Sequence, residues 1–104
     1  MRYKDVTNEM VISFTRTATI LRLLQAKLNI NNYLDRVNYS HTYAREEWIA
    51  STEAYEKERW YKCLIRENEK RGRANQFLRI IEEEINKRVA AYTKAQRAKQ
   101  SNAA

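Results

Sequence analysis

The stretch Trp60–Ile81, WYKCLIRENEKRGRANQFLRII, holds the chain's one glycine and decides how many helices the chain makes. Gly72 is the natural place for a helix to stop, because glycine adopts the left-handed cap conformation without steric cost. Two rows of residues spaced by seven nevertheless run straight through it. One reads Leu64, Arg71, Leu78, Ile85 and Tyr92; the other reads Trp60, Glu67, Ala74, Ile81, Arg88 and Ala95. A glycine inside a helix costs only about 1 kcal/mol relative to alanine. Two all-α architectures follow. The first choice is a small three-helix bundle; the second is a long helical hairpin or coiled coil whose helix is continuous through Gly72.

The rest of the composition supports the all-α class. The chain has 104 residues, no proline and a single glycine, so the chemistry of tight turns is nearly absent. Good helix formers dominate, and a chain of this length forms one domain around a modest core. The expectation is a single helical domain over residues 1–104, frayed from about residue 100. With 43% apolar and 32% charged residues, the chain is too apolar for generic disorder. It lacks the run of ~18 apolar residues that a membrane span requires. MRYKDVTNEM has no apolar signal-peptide core, so a cytoplasmic protein is expected.

The helix patterns read as follows. A first helix starts near Asp5 or Thr7, either of which can cap it. Met10, Phe14, Thr17, Leu21, Leu24 and Leu28 recur at spacings of four and three and form its apolar stripe, widened by Val11, Ile20 and Leu23. LNINN (28–32) should end it, because asparagine side chains compete for the helical backbone. A second helical region runs from about Tyr33 to Arg71, with a break or kink favoured at Ser40–Thr42 by the weak helix formers of NYSHTY. A third runs from Ala74 to about Lys99 through Leu78, Ile81, Ile85, Val89, Tyr92 and Ala95.

Catalytic chemistry finds little support. His41 is the only histidine, and a nucleophile–base pair needs partners and a pocket of backbone amides that this chain does not suggest. Cys63 lies six turns away if the helix between them is straight. Helical dimetal sites use two Glu-x-x-His pairs, and here the residue three before His41 is Asn38. The runs Glu46–Glu47 and Glu82–Glu84 scatter their carboxylates around a helix. No phosphate loop can be written with one glycine. A non-enzyme with no cofactor and no metal is the expectation.

Aromatic and basic residues carry more information. On one continuous helix, Tyr33, Val37, Ala44, Trp48 and Tyr55 share a core face, while Tyr39, Tyr43, Tyr61 and Ile65 fall nearly opposite. That second group is a candidate partner-binding face, since tyrosine gives rigid contact area with a polar handle. The net charge is +7, with +3 in residues 1–30, zero in 31–72 and +4 in 73–104. After Glu84 no acid appears. In an up-down-up bundle, Arg22, Lys27, Arg36, Arg88, Lys94, Arg97 and Lys99 would gather at one pole and neutralise phosphates.

The functional expectation is a small helical binding protein associated with nucleic acid through that pole. The alternative is an adaptor or inhibitor that docks on a larger protein through the Tyr/Trp-rich helix. A third reading is an oligomer built on the register that crosses Gly72.

Overall fold

A computed structural model describes residues 3–103, which form three α-helices after a short 3-10 turn at Tyr3–Asp5, with no strand among them. α1 spans Asn8–Thr17, α2 Ile20–Ala50 and α3 Ala54–Ala103. The all-α class holds, and the shape is that of the long hairpin. α3 passes through Gly72 without a break, and no described residue has a positive φ. Its 50 residues span the full 75 Å of the molecule, as a rise of about 1.5 Å per residue requires.

The helix breaks fall where threonine and serine supply caps. Thr7 starts α1: its hydroxyl accepts from the Met10 amide at 3.2 Å, and its own amide donates to the Met10 sulfur at 3.4 Å. α1 then ends at Ala18, whose extended backbone turns the chain, and Thr19 caps α2 by accepting from the Arg22 amide at 3.2 Å. α2 ends at Ser51, whose amide and hydroxyl both donate to the Glu47 carbonyl, at 2.9 and 2.7 Å. The expected boundaries at LNINN, NYSHTY and Gly72 are therefore replaced by Ala18–Thr19 and Ser51–Glu53. At the far end, α3 runs to Ala103 instead of stopping near Lys99.

Tertiary burial explains why the two weak segments stay helical. Leu23, Ile30, Val37 and Ala44 are buried at intervals of seven, so α2 presents one unbroken seam to α3. Ile30 anchors LNINN within that seam, and Gln25 hydrogen-bonds the Asn29 side chain at 3.0 Å. In NYSHTY the Thr42 hydroxyl donates back to the Asn38 carbonyl at 2.9 Å, absorbed by the helix instead of capping a new one. Packing outweighs these small propensities, each a fraction of a kcal/mol.

α2 and α3 run antiparallel. The Lys27–Glu82 ion pair (3.6 Å) and the bond from Arg71 to the Asn38 side chain (3.3 Å) mark their register. α1 lies along α3 in the same direction, tied by Arg73 to the Val6 carbonyl (2.5 Å) and by Arg88 to the Thr15 carbonyl (2.8 Å). The core is the three-helix section: Val11, Ala18, Leu23, Ile30, Ala74, Phe77, Ile81 and Ile85. Burying a side chain such as Leu23, which is fully inaccessible, contributes about 1.5–3 kcal/mol.

The stripe expected to bury α1 and the start of α2 is turned outward in its α2 part. Leu21, Leu24 and Leu28 are exposed, because the break at Ala18–Thr19 resets the phase and the seam uses Leu23 and Ile30 instead, while Phe14, before the break, packs against the core. Beyond Val37 the hairpin has only two helices, and its seam mixes Trp60 and Leu64 with Ala44, Ser51, Glu67 and Arg71 where the core has leucine, isoleucine and phenylalanine. Its turn is held by Lys57, which sits 5.4 Å from the Trp48 ring and donates to the Trp48 carbonyl at 3.0 Å.

Candidate nucleic-acid interface

Arg88 marks where the hairpin ends. Its guanidinium pairs with Glu84 at 3.0 Å and donates to the Ala18 carbonyl at 2.6 Å and the Thr15 carbonyl at 2.8 Å. These are carbonyls at the end of α1 that have no helical partner, so Arg88 satisfies them while clamping the α1–α2 junction to α3. Past this point α2 has no more residues to offer. α3 continues for residues 89–103, about 22 Å at 1.5 Å per residue, and its side chains from Val89 to Ser101 are exposed apart from a half-buried Gln96.

This end holds a helix on its own chemistry. Ala90, Ala91, Ala95 and Ala98 alternate with Lys94, Gln96, Arg97 and Lys99, all among the strongest helix formers. At ~100° per residue, Lys87, Lys94 and Arg97 share one side, while Val89, Tyr92, Ala95 and Lys99 share the other. The segment is basic, acid-free and amphipathic.

The seven expected basic residues do not meet at one pole. Lys94, Arg97 and Lys99 lie on the projecting end of α3, and Arg22 is exposed one turn into α2, close to the Arg88 junction. Lys27 is paired with Glu82, and Arg88 is committed to Glu84 and two carbonyls. Arg36 is 14 residues beyond Arg22 on the same helix, about 21 Å away, beside Asn32 and Asp35. A shared pole requires a helix that ends at LNINN. With α2 continuous, Arg36 belongs to the middle of the hairpin. Lys87 joins the projecting side at its base, and its signal in the sequence is the acid-free run after Glu84.

The four aromatic-face residues also separate. Tyr39 and Tyr43 are on α2, whereas Tyr61 and Ile65 are on α3, because the helix expected to carry all four breaks at Ser51–Glu53. Tyr43 is two heptads from Asn29, which lines the crevice under α1; Tyr61 is three heptads from Glu82, on the opposite flank. All four are exposed, and Tyr43 packs edge-on to Trp60 with centroids 5.7 Å apart.

The hairpin brings Cys63 back to the level of His41, between the Asn38–Arg71 bond and the Tyr43–Trp60 pair, where a straight helix would have held them apart. The register still places them on opposite flanks. Cys63 is two heptads from Phe77, on the α1 side; His41 is two heptads from Lys27, on the Glu82 side. Among the described residues, no three His, Cys, Asp or Glu side chains form a group that could hold a metal ion, and no helix is long and apolar enough to cross a membrane.

Fold and surface together define an antiparallel helical hairpin, braced by a short N-terminal helix and extended at one end by a single basic helix. No protein-family model, no curated protein and no solved structure matches this chain.

Proposed function

We propose that this is a non-enzymatic, cofactor-free nucleic-acid-binding protein of the cytoplasm, and that the projecting end of α3 carries the phosphate contacts. One observation supports this reading above the others. α3 leaves the hairpin as a lone, acid-free helix bearing Lys94, Arg97 and Lys99, with Lys87 at its base. Exposed lysine and arginine along such a helix release counterions from the phosphates they neutralise, so affinity falls as salt rises. No set of base-reading side chains stands out, and the reading is of sequence-independent binding. The deciding experiment is titration of fluorescent duplex and single-stranded oligonucleotides at two salt concentrations. Binding that weakens with salt is expected; undetectable binding of either at low salt sinks the reading.

The second reading, an adaptor or inhibitor that docks on a larger protein, draws on the exposed aromatics of the two-helix section. Tyr39 is 77% exposed and Tyr61 54%. Because the two lie on different helices and flanks, a partner would use the Tyr39–Tyr43 side or the Tyr61–Ile65 side, not all four residues at once. Salt-insensitive capture of a partner, abolished in Tyr43→Ala or Tyr61→Ala, would favour this reading over the first.

A further inference from the structure

We infer that the protein is a homodimer in which the projecting end of α3 packs against the outer leucine stripe of α2 in a second copy, and reciprocally. The inference does not rest on nucleic-acid binding. A compact monomer of 12.5 kDa exposes about 6,200 Å², whereas this chain exposes 8169 Å². The surplus of about 2,000 Å² per chain is about twice what one partner buries in an interface at the upper end of the standard size, so a standard interface accounts for part of it.

Exposed apolar side chains stand at both ends of the hairpin, and those at the α1–α2 corner form a row. Leu21 (75% exposed), Leu24 and Leu28 follow one another on the outer face of α2, with Ile20 beside them. Val89 and Tyr92 (66% exposed) stand on α3 just past the Arg88 clamp.

The seam itself indicates the occupant. On α3 the two heptad rows are packed against α2 as far as Ala74, Leu78, Ile81 and Ile85. The same rows continue as Tyr92 and Ala95 after α2 has ended, so a hydrophobic seam made inside the chain runs on with nothing from the chain to fill it. A helix from elsewhere must extend it, and the chain carries an unfilled stripe of matching length. Val89 to Gln96 and Leu21 to Leu28 each cover seven steps, about 10.5 Å.

The geometry closes as a twofold. α2 and α3 are antiparallel, and the projecting segment begins at the level where α2 begins. Two copies laid head to head about a twofold near Leu21 and Val89 therefore place each α3 end beside the other's stripe, running in the same direction as that α2. Val89 then meets Leu21, Tyr92 meets Leu24 and Gln96 meets Leu28 of the second copy. The contact is isologous, which is how closed dimers form. Lys87, Lys94 and Arg97 stay outward on both copies.

The test is sedimentation equilibrium on the nuclease-treated full chain at low and high salt. The dimer mass is expected, and the dimer should tighten with salt because two copies of charge +7 repel when unscreened. Nucleic-acid binding has the opposite salt dependence, so failure of one reading is separable from failure of the other. Leu24→Glu and Tyr92→Glu, both at exposed positions, should raise the dissociation constant by about tenfold or more with helix content unchanged. Lys94→Gln with Arg97→Gln should not weaken the dimer. In a Cys63→Ser background, Leu24→Cys with Tyr92→Cys should give a covalent dimer under a mild thiol oxidant. Within one chain the two positions differ by about 10.5 Å along the axis, beyond disulfide reach. A monomer at all concentrations, an intramolecular cross-link, or a dimer indifferent to both glutamate substitutions overturns the inference.

Discussion

Arg88 donates from Nη1 to the Ala18 carbonyl at 2.6 Å, joining residues 70 positions apart and closing the corner where α1 hands over to α2. The same guanidinium holds Thr15 and Glu84, so one side chain ties the end of α1 and the linker after it to α3. Arg88→Ala would leave the Ala18 and Thr15 carbonyls without these donors and Glu84 without its partner. A loss of about 2 kcal/mol is expected, allowing for partial solvent access to the ion pair. Arg88→Lys should recover only part of it, since a single ammonium cannot span the same fork. Denaturant melts of the three proteins check this; equal stability would mean that the corner holds without the clamp.

Gly72 lies inside a helix, has no positive φ, and a Cβ built there meets no atom within 4 Å. Gly72→Ala should therefore raise stability by about 0.5–1 kcal/mol, mainly by restricting the unfolded chain. A lower melting temperature for the alanine variant would contradict a continuous α3.

The two ends of the hairpin should differ in local stability. Residues 23–34 and 74–85 share the three-helix core, while 37–50 and 55–71 meet over a thinner and more polar seam. Native-state hydrogen exchange should show the second group opening at lower free energy than the first. Equal protection in both groups would show that the Lys57–Trp48 and Tyr43–Trp60 contacts hold the tip as firmly as the core.

Replacing Lys94, Arg97 and Lys99 by glutamine should weaken binding to all duplex sequences alike. The salt dependence should flatten by about 0.9 log units of slope for each phosphate no longer neutralised. His41→Ala should leave both binding and fold intact. Fluorescence titrations across a salt series measure the first effect. Failure of His41→Ala to bind would give the histidine a role that its half-buried place beside the seam does not suggest.

The sequence shows its longest-range regularity most plainly. The rows through Trp60–Ala95 are the face that α3 turns to its neighbours as far as Arg88, because a seven-residue repeat survives only where every turn meets the same partner. The breaks are harder to read, for threonine and serine caps also occur inside helices, as Thr42 does here. Leu21, Leu24 and Leu28 mislead for a related reason. A stripe that looks continuous from Met10 to Leu28 is cut by two extended residues at Ala18–Thr19, and everything after the cut changes face. The basic run after Glu84 can be read directly, but its projection beyond the hairpin depends on where α2 begins, which only the fold supplies.

The placement of α1 has a consequence for the order of events during synthesis. Val11, Leu23 and Ile30 are made early, yet what they pack against is Ala74 to Ile85, and the corner is not locked until Arg88 exists. At ~5–20 residues per second, the first third of the chain waits several seconds on the ribosome with its apolar side chains unmatched. Folding then has to be a late event in which the first helix docks onto a hairpin completed after it. Until that stretch of α3 is made, Val11, Leu23 and Ile30 lack the side chains they are buried against in the finished fold.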